Sequence, residues 1–492
     1  MLLIFLLAYF SAAAAVDTAT IQLSSTPLSP PISPVFASFS LEISSALQYL
    51  GTAGSLNLPF INLCNVLRNV SSGRGPSIRI GGNSADSSVY WDSASPLPAN
   101  QTYAITSADI LAYAAAFPMF DGYAVIDTSM FLQDSVAWPV AHISAVRDLW
   151  GFERVEGIEI GNEVEIYHDS GMRPRNWTFA SYQREFTQHT AALRQQAGMP
   201  NGLIQGAVFC CNNSDYNAAF ANYTRTFAAQ GLLASVSYHH YSIGGCGGKP
   251  PPPMTDLLAD QAAAGAAAFL LPFVTAAREA GVAFRVGEGN SVSCGGKPNI
   301  SDVFGAALYS LDVMAHLAAI GAQQWNWHGG PGASYAPISF ARHGAPGPPD
   351  VRPLFYGMWA FATATAKGSA ILAAAVSSSN PLIKLWGLAG PGGAFRVLAI
   401  HKDFQAATGA TVSVRLPPGL AAGSGGGRLA RLLAPSVFSH YNVTFAGQTF
   451  DDSADGLPLG APQWEHVPLQ ADGSLLFELP LASAAILTFT AQ

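Results

Sequence analysis

The sequence predicts a (β/α)8 barrel followed by a C-terminal β-sandwich domain. Over about 330 residues, eight short β-rich runs alternate with eight amphipathic or Ala-rich helical stretches, the signature of parallel strands joined by helical crossovers. No G-x-G-x-x-G follows the first strand, which weighs against a doubly wound open sheet. Past Gly368 the helical period stops, and alternating strands broken by Gly and Pro take over.

The strands are read at Val35–Ile43, Ser77–Gly81, Tyr123–Thr128, Gly157–Gly161, Leu203–Phe209, Ser235–Tyr241, Phe284–Glu288 and Ala322–Trp327. Between them helices are expected near Leu58–Val70, Ser107–Phe117, Val140–Trp150, Thr178–Ala197, Asn217–Ala229, Met254–Ala280 and Val303–Ile320, with an eighth at Pro353–Ala366. Residues 35–368 therefore form the barrel, and 369–492 the sandwich, with strands such as Phe395–His401, Thr411–Leu416 and Ser474–Leu479. Thr18–Leu23 is strand-like and precedes the barrel across a Pro-rich link, so the segment 16–34 is expected to pack on the sandwich. Cys-Gly-Gly-Lys-Pro occurs at Cys246–Pro250 and again at Cys294–Pro298, each just past a barrel strand. These read as two loops on one rim tied by a Cys246–Cys294 disulfide.

Residues 1–15, MLLIFLLAYFSAAAA, form an apolar run ending in an A-x-A site, the pattern of a secretory signal peptide too short to span a bilayer. The next apolar stretch, Ala262–Ala277, contains Gly265 and Pro272 and reads as a buried helix, so no membrane attachment is expected. Seven N-x-S/T sequons, at Asn69, Asn100, Asn176, Asn212, Asn222, Asn299 and Asn442, and five cysteines fit a secreted, glycosylated, extracellular protein. Net charge is −8 and only 11% of residues are charged, with no Lys/Arg cluster, which excludes a nucleic-acid partner and disfavours a long sulfated polyanion. With 49% hydrophobic residues the chain is no disordered polymer. Oligomeric state is not legible.

In a (β/α)8 barrel, side chains at the carboxyl ends of the strands meet on the active face. Those ends supply Glu42, Arg79 with Asn83, Asn162-Glu163, His239-His240-Tyr241, Glu288-Gly289-Asn290, and Trp325 with Trp327. Two carboxylates converging on one glycosidic bond are what glycoside hydrolysis requires, one protonated to donate and one ionised to attack. Glu163, in GIEIGNE, and Glu288, in FRVGEGN, have the best context, although some of 31 acidic residues reach strand ends by chance. Arg79, in a strand, needs a partner, either one of these carboxylates or a purely structural one. His239, His240 and His328 have no metal-ligand spacing, and no C-x-x-C occurs, so no metal or cofactor is expected. Trp325 and Trp327 offer flat faces for a sugar ring, one of the two being expected to face the helical layer.

Gly161-Asn162-Glu163 with Tyr167, together with Gly287-Glu288 and Asn290-Ser291-Val292-Ser293-Cys294-Gly295-Gly296, resembles glycoside hydrolase family 79, the family of retaining exo-β-glucuronidases and heparanases. Phe39-Ser40-Leu41-Glu42, Arg79-Ile80-Gly81-Gly82-Asn83-Ser84 and the trailing β domain are similar to its pattern, so the resemblance covers nearly the whole chain. Two positions depart from it. Val164-Glu165 follow Glu163 where the family usually has Pro-Asp, and Gly289 stands where a bulkier residue is common.

The resemblance implies Glu163 as general acid/base and Glu288 as nucleophile. Asn162 would then bond the 2-hydroxyl. Tyr241, read as ending the sixth strand, either donates its hydroxyl to Glu288 and holds that carboxylate ionised or packs in the core. For the C5 carboxylate it implies the loop Gly332-Ala333-Ser334-Tyr335, through backbone N–H groups and the Tyr335 hydroxyl, with Glu42 accepting from a 3- or 4-hydroxyl. The expected activity is a retaining exo-β-glucuronidase that removes terminal glucuronic acid or its 4-O-methyl form from glycans. The alternatives are a heparanase-like endo-β-glucuronidase and a non-catalytic carbohydrate-binding glycoprotein.

Overall fold

The computed structural model describes residues 16–490 except Ser72, Asp134, 341–347, Lys367, 418–419, 421–422 and 424. The leader expected at 1–15 lies outside the described residues. Eight parallel strands close a barrel: β1 (Ala37–Glu42), β2 (Ser77–Gly81), β3 (Tyr123–Thr128), β4 (Val155–Ile160), β5 (Ile204–Phe209), β6 (Leu233–Tyr238), β7 (Ala283–Val292) and β8 (Gln324–Gly329). Closure comes from β8 pairing back onto β1, from Trp325 beside Ala37 to Gly329 beside Leu41.

The surrounding helices are α1 (Leu58–Val70), α2 (Ser107–Ala116), α3 (Ala137–Leu149), α4 (Phe179–Gln195), α5 (Ser214–Ala229), α6 (Asp260–Glu279), α7 (Phe304–Ile320) and α8 (Pro353–Ala364). In α1, Phe60, Ile61, Leu63, Cys64, Val66 and Leu67 are buried while Asn69 is exposed, and Asn57 caps the first turn by accepting from the Phe60 N–H. The single helix expected from Met254 to Ala280 breaks at Ala259, whose extended backbone separates Met254–Leu258 from α6. Among the described residues α6 alone is long and apolar enough to cross a membrane, and half of that stretch is buried inside the protein.

The ends of β6 and β7 depart most from expectation. β6 stops at Tyr238, and after His239 a short strand, His240–Ile243, runs parallel to the extension of β7 through Val292. This detour sets Tyr241 beside Asn290 rather than at the end of β6.

The C-terminal region is a largely antiparallel β domain. Asp17–Pro27 enters it between Ala370–Ser378, antiparallel, and Ala410–Arg415, parallel. Ala370 and Ile371 pair with Ile383–Ala389, whereas residues from Leu372 onward pair with the N-terminal strand, so one strand serves both leaves of the fold. Alternation puts Ile21, Val397, Val412, Leu475 and Leu487 into the core between the leaves. The opposite faces of Ala394–His401 and Ser483–Thr490 carry Leu398, Ile400, Ala484 and Ile486 into the barrel's own core. Buried on both sides, these strands fix the β domain to α7 and α8.

Candidate active site

A cavity of about 530 Å³ opens at the carboxyl ends of the barrel strands, with Glu42, Glu163, Tyr241, Glu288, His328 and Tyr335 among its walls. Glu288 comes from β7 and is 6% exposed. One of its oxygens accepts from Arg79 Nη1 at 2.6 Å, the other from the Tyr241 hydroxyl at 2.8 Å, and His328 Nδ1 lies 3.6 Å away. Burial on its own would raise the pKa of this carboxyl. His328, His239, Arg79 and the Tyr241 hydroxyl outweigh it and hold the group at about 2, ionised at any ordinary pH. Tyr241 is pushed well above the usual phenol range, by burial first and then by the Glu288 charge, so it stays a donor.

Arg79, fully buried on β2, is the electrostatic centre beneath this pair. Its guanidinium reaches Glu288, Glu159 Oε2 at 2.7 Å, Asp127 Oδ2 at 3.3 Å and Asn162 Oδ1 at 2.8 Å. Burial works against its charge, but Glu159, Glu288 and Asp127 outweigh that and raise its pKa. The partner expected for Arg79 is thus Glu288 together with two further carboxylates on β3 and β4.

Glu163 sits three residues past β4 in the left-handed backbone region, φ 50° and ψ 50°. Its N–H donates to the Val208 carbonyl at 3.1 Å, and its Oε1 lies 3.0 Å from His239 Nδ1. A carboxylate oxygen of Glu163, one of Glu288 and a ring nitrogen of His239 all lie within 4.8 Å of one another. By distance alone that trio is close enough to hold a cation, and equally close enough for two carboxylates to act on one bond.

Glu42, at the end of β1, accepts from Ser84 N at 2.8 Å, Ser84 Oγ at 2.5 Å and Asn83 N at 3.2 Å, with His328 Nε2 at 3.5 Å. Its carboxylate fills the space where a side chain at position 82 would start, which with a φ of +78° explains glycine there. His328 lies between Glu42 and Glu288. Burial lowers its basicity, but Glu288 and Glu42 reverse that and raise its pKa. Gly289 has a similar cause: a Cβ would fall 2.5 Å from the His240 carbonyl and 2.9 Å from the Trp325 indole, so the bulk common at this position has no room here.

Other expected residues are placed differently. Trp325 and Trp327 are two apart on β8 and so share one face; both are fully buried, stacked at 4.8 Å, with Tyr309 of α7 against Trp327. Neither lines the cavity, and the sugar platform expected of Trp327 is corrected to core packing. Asn162 is 4% exposed and absent from the cavity wall; it accepts from Arg79, donates to exposed Asn83 at 3.1 Å, and its N–H is held by Asp86. In the loop after β8, the N–H groups of Ala333, Ser334 and Tyr335 donate to the carbonyls of Gly330 and Gly295, which removes them as anion donors. Gly332 is exposed and does not line the cavity, whereas Tyr335 does, stacking on Tyr241 at 5.9 Å. Arg352, which sequence reading passed over, clips this loop through the Ala333 and Ser334 carbonyls.

Cys246 and Cys294 form a disulfide, with Cα atoms 5.2 Å apart, on the cavity rim. A second one joins the adjacent Cys210 and Cys211, just past β5, and Cys64 of α1 is free and buried. Adjacent cysteines have no C-x-x-C spacing, so nothing in the sequence marks this pair. Glu165, one of the residues departing from the family pattern, is buried and accepts the Cys210 N–H, and burial drives its pKa up. All seven sequon asparagines are exposed, and Asn212 is also part of the cavity wall.

Comparison with known proteins bears on the fold and the family. Residues 386–486 match the family model described as the glycosyl hydrolase family 79 C-terminal beta domain. A β-glucuronidase of Neurospora crassa is 23% identical over 362 residues, 67% of this chain and 63% of its own length. One of Aspergillus niger is 23% identical over 337 residues, 62% of this chain and 60% of its own. The chain thus matches less than two thirds of the length of these curated relatives. A 4-O-α-L-rhamnosyl-β-D-glucuronidase of Fusarium oxysporum has the same fold, with a TM-score of 0.76 at 19% identity, covering 95% of this chain and all of that one. In its barrel, its C-terminal β domain and its sequence matches alike, the chain resembles glycoside hydrolase family 79.

Proposed function

We propose that the chain is a glycoside hydrolase that removes terminal β-linked glucuronic acid, or its 4-O-methyl form, from glycans with retention of anomeric configuration. The carrying observation is the approach of the Glu163 and Glu288 carboxylates to within 4.8 Å at the mouth of the barrel. That spacing supports direct attack on the anomeric carbon, because an inverting pair stands roughly 6.5–9.5 Å apart to admit a water. Glu288, held ionised, attacks; Glu163 protonates the leaving oxygen. The glycosyl ester is then hydrolysed by a water that Glu163 deprotonates. The names of the curated relatives and of the Fusarium structure support a glucuronide substrate. Among the described residues no Lys or Arg lines the cavity, which favours an uncharged or weakly anionic leaving group over a sulfated polymer. The exposed sequons and the two disulfides support secretion into an extracellular compartment.

The test is release of 4-nitrophenol from 4-nitrophenyl β-D-glucuronide, with the β-D-glucoside and β-D-galactoside as controls. Turnover of the glucuronide alone is expected, with the β-anomer as first product by proton NMR and none from Glu288→Gln. A first-formed α-anomer would reject retention, and inertness on all three would return weight to an endo-acting or binding protein.

A further inference from the structure

The Cys210–Cys211 disulfide has no part in the chemistry above, yet it stands beside it. Both residues line the cavity, and their sulfurs and a Glu163 carboxylate oxygen all lie within 4.8 Å of one another. The segment carrying them is bound to the acid/base residue from behind: Val208 O accepts the Glu163 N–H, and the Cys210 N–H donates to Glu165. Tyr238 Oη donates to the Cys210 carbonyl at 2.9 Å and accepts the Asn212 N–H at 3.2 Å. Ala207, Val208, Cys211 and Asn212 all take positive φ, 69°, 54°, 60° and 53°, two pairs of L-residues flanking Phe209 and Cys210 that hold this backbone only when their surroundings enforce it. Cys211 is exposed to the cavity while Cys210 is buried. Two bonded sulfurs present a compact, polarizable surface with no strong hydrogen-bonding group. The tryptophans of β8 are buried away from the cavity, and this pair lines it beside Glu163.

We propose that the Cys210–Cys211 disulfide is a specificity-determining wall for the leaving group, against which the apolar face of a bulky sugar or aryl aglycone rests while Glu163 protonates its oxygen. This rests on the reading of Glu163 as acid/base. A group bonded to the oxygen that Glu163 protonates has to lie beside Glu163, and the sulfurs occupy that side. On that reading the glucuronyl ring lies on the Glu288 side of the scissile bond, so the contact with the sulfurs falls on the leaving group.

The experiment compares methyl β-D-glucuronide with 4-nitrophenyl β-D-glucuronide in the wild type and in Cys210→Ala/Cys211→Ala. The variant should lose about tenfold in kcat/KM on the aryl substrate, chiefly through KM, and stay within twofold on the methyl substrate, with an unshifted pH profile. Equal losses on both substrates, or none on either in a folded variant, would overturn the proposal. A wild type inert on both glucuronides would overturn the underlying reading and the proposal with it. Where the variant does not fold, the native chain is titrated with a phosphine and each disulfide followed by mass spectrometry of alkylated peptides. The aryl-to-methyl ratio should fall with loss of the 210–211 bond, and a ratio that instead tracks 246–294 or stays constant would also sink it.

Discussion

Tyr241 is the group through which Glu288 can be tuned without altering its charged neighbours. Its hydroxyl donates to the oxygen that Arg79 leaves free, and its ring is held by Tyr335. Because the Glu288 pKa is depressed on folding, its contribution to stability is present above about 4.5 and lost as pH falls toward 2. The acid limb of activity follows the same titration, since only the carboxylate attacks. Tyr241→Phe removes a hydrogen bond to a charged acceptor, worth roughly 1.5–3 kcal/mol, or about 1–2 pH units. The acid limb of kcat/KM should therefore move up by about that much. An unmoved limb in a folded variant would show that Arg79 and His328 hold the charge without it. The sequence left Tyr241 open between this contact and the core, because an aromatic in a strand fits either. Sequence reading had no access to His328 as the bridge between Glu42 and Glu288, because residues from strands β1, β7 and β8 meet only when the barrel closes.

At the scale of the element, period-2 alternation explains both a success and a failure. The strand–helix alternation was legible because crossover helices such as α1 bury one apolar stripe, and the barrel itself is borne out. The tryptophans were misread because positions 325 and 327 differ by two, and β8 turns Asn326 and His328, not the indoles, toward the barrel axis. Trp327→Ala should then act as a core truncation, costing roughly 3–5 kcal/mol. Scanning calorimetry should show a clear drop in melting temperature while KM for the aryl glucuronide stays within twofold at a permissive temperature. A large rise in KM with an unchanged melting temperature would restore the sugar-platform role. The short strand after β6 was illegible for another reason. His239 carries no turn signal in sequence, and only pairing of His240–Ile243 with the end of β7 interrupts the strand there.

Across the whole molecule, barrel and β domain share a core, and one buried lysine–aspartate pair lies inside the seam with a half-exposed aspartate at its edge. Lys402, just past the strand Ala394–His401, is 1% exposed and donates to Asp312 Oδ2 of α7 at 2.6 Å and to Asp260 Oδ1 of α6 at 3.2 Å. Asp312 is wholly buried, so its charge has no recourse to water. Nothing in the sequence marks this lysine, since its partners lie 90 and 142 positions away. Removing one side of a buried pair strands the other, at a cost of roughly 3–5 kcal/mol, whereas replacing both by apolar groups is often neutral. Lys402→Met should therefore destabilise strongly and Lys402→Met/Asp312→Leu much less, a coupling that chemical denaturation of the four corners of the cycle would measure. If the seam is one cooperative core, both halves should unfold in a single transition in every variant that folds. A separate early transition of the β domain in Lys402→Met would mean that Leu398, Ile400, Ala484 and Ile486 do not suffice to couple the two. Additive single effects would instead mean that the bridge is dispensable and the apolar contacts alone fix the β domain against α7 and α8.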